Sequence, residues 1–273
     1  MGHRGFPRGQ GHLGLDTGRL RTMDGHAFVL HLTRATARRE NARTLLAACG
    51  LEGEIWSAVD GAAMSSTDLA ATVGADLFAP TYPFSLRAGE IGCFLSHRQI
   101  WAEIVRRDLD YGLVFEDDVA LDAETFDPAL RLAITHIEAI GYIQLQNRMP
   151  HQRGHLIDTH ANSVLSVPTV TPLRASAQLI SQESARHLLQ MSDVFDRPVD
   201  TFVQCHWHTQ LRPGVLYPAG IRTISDQLEG STIQSHPKTL QQRLFREIAR
   251  GLYRRRVIRF SKRSTAPRKG GSP

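Results

Sequence analysis

An α/β fold built on a buried sheet is what this sequence predicts, and three observations carry the prediction. Ala27-Phe28-Val29-Leu30-His31-Leu32 is an apolar run that passes straight into a helical pattern. Tyr111-Gly112-Leu113-Val114-Phe115 is a second such run, ending in three consecutive carboxylates, Glu116-Asp117-Asp118. Between and beyond them, strand-like runs alternate with helical patterns. A strand covered on both faces has no polar alternation, so both runs belong inside a sheet. In open α/β sheets ligands bind outside the carboxyl ends of strands, which puts the three acids in a crevice. Adjacent carboxylates repel one another, and a hard cation bridging a phosphate turns that repulsion to use. The competing reading is a solvated acidic turn, and the rest of the chain has to decide.

Taken in order, residues 1–24 are rich in Gly, Arg and His without apolar periodicity and read as a disordered leader, with Met23 a candidate start. After the first strand, Thr33 is a plausible N-cap for a helix through Ala42, Leu45 and Cys49 that stops at Gly50. Arg34, Arg38 and Arg39 fall in its first turn, near phosphates or on a solvated face. Glu54–Val59 is a second strand, and Ser66 caps a short helix through Leu69 and Val73. From Gly89 to Arg107 the apolar residues Ile91, Phe94, Leu95, Trp101 and Ile104 recur at helical spacing, interrupted by Ser96, His97 and Arg98. A helix over 126–140 and a strand over 142–146 follow the acids. Residues 147–162 read as a polar, His-rich loop. Val164–Val170 returns to strand character, and Ala175–Ile180 leads into a helix capped by Ser181. Pro198-Val199-Asp200 opens a new segment, and 215–218 is a late strand.

Composition sets the outer bounds. At 273 residues, 41% hydrophobic and 22% charged, the chain fits one large globular domain with appendages. No apolar stretch approaches a membrane span and no secretory signal opens the chain, so the expected address is the cytoplasm. Cys49, Cys93 and Cys205 are odd in number and far apart, which suggests neither a disulfide framework nor a CxxC site. His206-Trp207-His208 would share a face only on a strand, and a metal role there is disfavoured. The net charge of +5 is concentrated at the end, where eleven basic residues from Arg243 onward face one acid, Glu247. From Leu240, the residues Leu240, Leu244, Ile248 and Leu252 recur at i+4, so 238–273 reads as a basic amphipathic helix and tail suited to an anionic membrane surface. Docking of that helix on the body is the alternative. Nucleic acid is disfavoured, since no stacking aromatics interleave with the arginines on a recognisable module.

Read together, Gly89-Glu90-Ile91-Gly92-Cys93-Phe94-Leu95-Ser96-His97, then Trp101, then the strand ending in Glu116-Asp117-Asp118-Val119, resemble glycosyltransferase family 25, the lipopolysaccharide-biosynthesis glycosyltransferases. Arg38-Arg39, Ala58-Val59-Asp60-Gly61, Ala177–Ser181 and Ser231-Thr232-Ile233 extend the resemblance over 27–235. It implies a GT-A-type fold for residues 25–237, with a mixed central sheet flanked by helices. It also implies a UDP-sugar donor, galactose favoured, and inverting transfer of a hexose to a saccharide or glycolipid acceptor such as lipopolysaccharide core. The acids then look like a DxD-type site: Asp118 and Asp117 holding Mn²⁺ or Mg²⁺, Glu116 nearer the nucleotide, and His236 or Asp226 a late metal ligand. Leu32, Arg34, Arg39, Glu90, His97 and Ser231 would surround the donor. Asp200 resembles the family's Asp after a Pro and is the expected general base, with His206 and His208 in reserve.

The family's first strand commonly continues into an Asp-Arg-Arg type sequence, whereas this chain has Leu32-Thr33-Arg34-Ala35, and its His-rich 151–160 stretch is its own. The resulting expectation is a transferase on the inner face of a bacterial inner membrane. A metal-dependent phosphohydrolase and a non-catalytic carbohydrate- or nucleic-acid-binding protein are its rivals.

Overall fold

The computed structural model describes residues 23–150, 154–225, 227 and 240–268. Residues 1–22 of the expected 1–24 leader, together with Asp226, Ser231 and His236, lie outside the described residues. In chain order the elements are β1 (Gly25–His31), a 3-10 turn (Thr36–Arg38), α1 (Arg39–Ala48), β2 (Gly53–Ser57), a second 3-10 turn (Gly61–Ala63), α2 (Ser66–Thr72) and α3 (Ala88–Arg106). Next come β3 (Tyr111–Glu116), β4 (Val119–Leu121), α4 (Ala123–Ile140), β5 (Tyr142–Leu145), β6 (His155–His160), β7 (Ser163–Val167) and β8 (Ala177–Ser181). The chain closes with α5 (Gln182–Met191), α6 (Val199–Gln204), α7 (His206–Thr209), β9 (Gly214–Tyr217), β10 (Ile221–Thr223) and α8 (Leu240–Arg263).

Eight strands form one mixed sheet in the order β2-β1-β3-β8-β5-β9-β7-β6, and β10 pairs with β4 in a small separate ribbon. β2, β1 and β3 run parallel, so their carboxyl ends lie along one edge. β8 is antiparallel to both β3 and β5, which makes the sheet mixed. Alternation along β1 divides the core. Ala27 and Val29 pack with α1 and α4 residues such as Leu45, Phe126 and Ile137 on one face. Phe28 and Leu30 pack with Phe94, Trp101 and Ile104 of α3 on the other. Both faces of the parallel strands are therefore covered, as the unbroken apolar runs require.

Several boundaries differ from expectation for local reasons. Thr33 does not cap a helix: its hydroxyl pairs with Ser57 Oγ, and the 3-10 turn delays α1 to Arg39. Ser65 rather than Ser66 caps α2, accepting from Asp68 N. Ser181 does cap α5, accepting from Ser184 N, while Ala177–Ser181 before it is a fully buried central strand. The expected 147–162 loop contains β6, which pairs antiparallel with β7 at the sheet edge. Its largely exposed residues carry no apolar alternation, so no pattern marked it. His206-Trp207-His208 is helical, a geometry in which the two imidazoles do not share a face.

Helix α3 approaches the 58–61 segment closely enough that backbone meets backbone. A Cβ on Gly92 would stand 2.5 Å from Val59 O and 2.7 Å from Gly61 N. Ser96 Oγ completes the join, accepting from Val59 N at 2.8 Å and donating to Gly92 O at 2.7 Å. Gly92→Ala should therefore cost about 1–3 kcal/mol through overpacking that only backbone movement can relieve. Thermal melts of the two chains check this, and equal midpoints would show that the contact is slack.

Candidate active site

The carboxyl ends of β1, β2 and β3 open into a cavity of about 270 Å³, lined among others by Leu32, Arg34, Arg38, Asp60, Glu116 and Asp118. Each strand contributes through the residues just past its end, so the parallel edge of the sheet creates the crevice. The acidic cluster is thus on the cavity and not a solvated turn.

The three acids are held in different ways. Asp117 is buried and engaged on both oxygens: Oδ2 meets His31 Nδ1 at 2.8 Å, and Oδ1 accepts from Arg38 Nη1 at 3.0 Å. Asn41 Nδ2 from α1 donates to Asp117 O at 2.8 Å and Val119 O at 2.9 Å, clamping the turn. Asp118 lies 3.6 Å from Arg38 Nη1 through Oδ2, while its Oδ1 is buried without a hydrogen-bond partner. Burial raises the Asp118 pKa, against the pull of Arg38. Glu116 is pushed up to about 7, chiefly by burial and then by the charges of Asp118, Asp200 and Asp117.

Glu116 adjoins half-buried Cys93, which also lines the cavity, and a set of buried polar groups. Cys93 and His97, one turn apart on α3, come together with Glu116 so that their potential ligand atoms fall within 4.8 Å of one another. Gln178 Nε2 donates to His97 Nδ1 at 2.8 Å, and Tyr142 OH donates to Gln178 Oε1. That contact leaves the ring hydrogen on His97 Nε2, which has no partner. Burial pushes His97 down to about 4, so the ring is neutral. It raises the Cys93 thiol well above its ordinary value.

The remaining predicted residues distribute unevenly. Leu32 and Arg34 line the cavity, with Arg34 Nε donating to Asp60 Oδ2 at 2.6 Å. Arg39 is exposed and Arg38 takes the inward position, because the 3-10 turn shifts the phase of the helix start. Glu90 is a capping residue: its carboxylate accepts from Arg87 N at 2.8 Å and pairs with the Arg87 guanidinium. Asp200 sits in the first turn of α6, its Oδ1 accepting from Thr201 N and Oγ1 and its Oδ2 from Arg174 N. Burial raises its pKa.

The reserve histidines do not suit a base. His206 contacts Ser264 Oγ and Thr169 O and is pushed down to about 4 by burial, while His208 stacks on Phe78 at 3.6 Å. Sequence reasoning missed His31, Asn41, Cys93 and Ser225. His31 and Cys93 carried a usable signal, a polar group ending an apolar strand and an i, i+4 pair with His97.

A mixed sheet flanked by helices, with its cavity at the ends of the parallel strands and an acid-tipped strand, fits a GT-A-type fold. Residues 24–203 match the profile described as glycosyltransferase family 25 (LPS biosynthesis protein), and the chain belongs to that family. It is 32% identical over 193 residues to the probable inactive glycosyltransferase 25 family member 3 of Bos taurus, across 64% of this chain and 30% of that protein. It is 39% identical over 98 residues to procollagen galactosyltransferase 2 of Homo sapiens, across 35% of this chain and 16% of that one. The chain spans less than a third of the length of these curated relatives. Among solved structures, a glycosyltransferase involved in glycosylation of the major capsid of PBCV-1 aligns at a TM-score of 0.32 with 8% identity, covering 62% of this chain and 64% of that one.

The raised pKa of Glu116 predicts a pH signature. The folded chain holds a proton that the unfolded chain releases between pH 4.5 and about 7, so this residue lowers stability as pH rises through that window. Glu116→Gln removes this dependence. Its melting temperature, measured in chelator, should gain on the parent progressively from pH 4.5 to about 7. Parallel curves would mean that Glu116 ionises normally.

Proposed function

We propose that this chain transfers a hexose, galactose favoured, from a UDP-sugar to a hydroxyl of a cell-envelope saccharide such as lipopolysaccharide core, with inversion and with a divalent metal. The observation that carries the reading is the unpaired buried Oδ1 of Asp118, on a cavity at the ends of three parallel strands. An anionic oxygen left without a donor is costly unless a cation completes it. Asp118 thus fits Mn²⁺ or Mg²⁺; Asp117, with both oxygens taken by His31 and Arg38, supports the turn. The bound metal would neutralise charge on the departing diphosphate.

The protein's own groups supply the rest. Arg34 and Arg38 bring positive charge to the cavity wall, where a diphosphate needs it. Asp200 takes the acceptor proton; its elevated pKa brings it toward the range where a base works near neutrality. The family description names lipopolysaccharide biosynthesis, and relatives include both a procollagen galactosyltransferase and proteins named inactive. Turnover is thus the decisive test. With Mn²⁺ and UDP-galactose, the parent chain should release UDP and, with acceptor, form a glycoside, and Asp118→Asn should lower the rate by about a hundredfold or more. Metal-independent turnover would remove the metal role, and UDP-galactose consumption without transferred sugar would favour a hydrolase.

The reading includes attachment to an anionic membrane through α8. No helix among the described residues is long and apolar enough to cross a membrane. Phe245, Ile248 and Leu252, at i, i+3 and i+7, are each more than half exposed among arginines, an arrangement that suits the lipid interface. Removing the whole helix would also uncover the groups beneath it, so substitution is the cleaner probe. Ile248→Glu with Leu252→Glu should reduce sedimentation with phosphatidylglycerol vesicles, and equal sedimentation would reject the anchor.

A further inference from the structure

A second cavity, of about 320 Å³, opens beside Asp200, since Thr201 lines it. Its chemistry differs from that of the first. Tyr82 and Phe84 form an aromatic wall, α8 contributes Arg250, Tyr253 and Arg254, and no carboxylate is among its lining residues. Tyr82 and Phe84 stand nearly perpendicular, ring centroids 5.5 Å apart, and Tyr82 makes a similar edge contact with Tyr253. Arg246 lies over the Phe84 ring at 4.7 Å. Arg250 is paired with Glu247, whereas Arg254 has no acidic partner among the described residues. Thr171 also lines the cavity, and its Oγ1 is buried without a hydrogen-bond partner.

These groups fit one kind of occupant. Aromatic rings receive the apolar face of a sugar ring, an unpaired guanidinium receives a carboxylate or phosphate, and an unpaired threonine hydroxyl receives a ligand hydroxyl. The cavity is lined by Thr201, the residue after Asp200, while Asp117 and Asp118 line the other one. Tyr82 is pushed up to about 12 by burial and then by Glu90 and Asp200, which places its ring within electrostatic reach of the expected base.

We propose that this cavity is the acceptor subsite and that its occupant is an acidic saccharide, with the ring against Tyr82 and Phe84 and the anionic group at Arg254. The assignment rests on the transferase reading above. In the transfer, the acceptor oxygen forms a bond to the anomeric carbon as the bond from that carbon to the diphosphate oxygen breaks. The bond electrons leave with the diphosphate, and the hydroxyl proton passes to the Asp200 carboxylate. The C-terminal helix is then a wall of the binding site, whatever else its outer face contacts.

Saturation-transfer NMR on the full chain with UDP and diamagnetic Mg²⁺ tests this, using methyl β-glucoside, methyl β-glucuronide and methyl β-glucoside 6-phosphate as probes. At least one anionic probe should bind about tenfold more tightly than the neutral one, the size expected of one charged hydrogen-bonded contact. A preference for the glucuronide or for the phosphate identifies the acidic group. Arg254→Gln should erase the preference and Arg254→Lys restore part of it. Arg255→Gln, on the same helix but outside the cavity, should keep it. Equal binding of the three probes, no binding of either anionic one, or a preference that survives in Arg254→Gln overturns the proposal. Failure of the parent chain to consume UDP-galactose would count against the transferase reading instead, because the binding measurement does not depend on turnover.

Discussion

The neutralisation of Asp117 is the interaction on which the rest of this structure depends. Three successive carboxylates at the end of a buried strand could not be held there by packing, because each would carry its charge toward a low-dielectric interior. His31 from β1 and Arg38 from the 3-10 turn meet Asp117 from opposite oxygens, and Asn41 binds the carbonyls on either side of Asp118. The turn is fixed by side chains from the first strand, the 3-10 turn and the first helix, 76 to 86 residues away in sequence. The β1-α1 unit therefore does more than open the fold; it sets the direction in which β3 delivers its acids.

That arrangement divides the labour among three residues that look alike in sequence. Asp117 is spent on structure. Asp118, one residue on, keeps an oxygen free and remains on the cavity. Glu116 points the burden the other way, toward Cys93, His97 and Asp200, where burial and neighbouring negative charge favour its neutral form. Like charges in close quarters do not all ionise in the same range, and here a cation, a free edge and a proton each answer one of them.

The parallel half of the sheet was legible because its strands are covered on both faces and so lack alternation, and α3 because its apolar period runs for five turns. The acidic junction was legible too, once joined to the Gly89–His97 block. The choice between Arg38 and Arg39 was not, since a 3-10 turn changes the angular step per residue and no residue type in 33–39 announces it. β6 was missed for a different reason: an edge strand with exposed residues has no face to mark it. Glu90 looked like a ligand within a resembling block, and only the capping geometry shows both its oxygens turned to Arg87.

The end of the chain shows how an amphipathic pattern can hide a second face. The regular i+4 leucines and isoleucine suggested one apolar stripe, yet Ile248 and Leu252 are exposed and the docked surface is instead Tyr253, Val257 and Ser261. The reason lies in the body. Arg197 is fully buried, bidentate to Asp196 and stacked over Phe78, and Tyr253 OH accepts from its Nη1 at 3.3 Å. Trp207 meets Phe260, and His206 reaches Ser264, so α7 is covered along the same line. A polar anchor specific in geometry thus outcompetes a greasier stripe that has no matching groove, and the helix is set with one face toward the cavity beside Asp200 and another left outward. Orientation of α8 by Arg197 is what lets a single basic helix serve a binding wall and a surface at once.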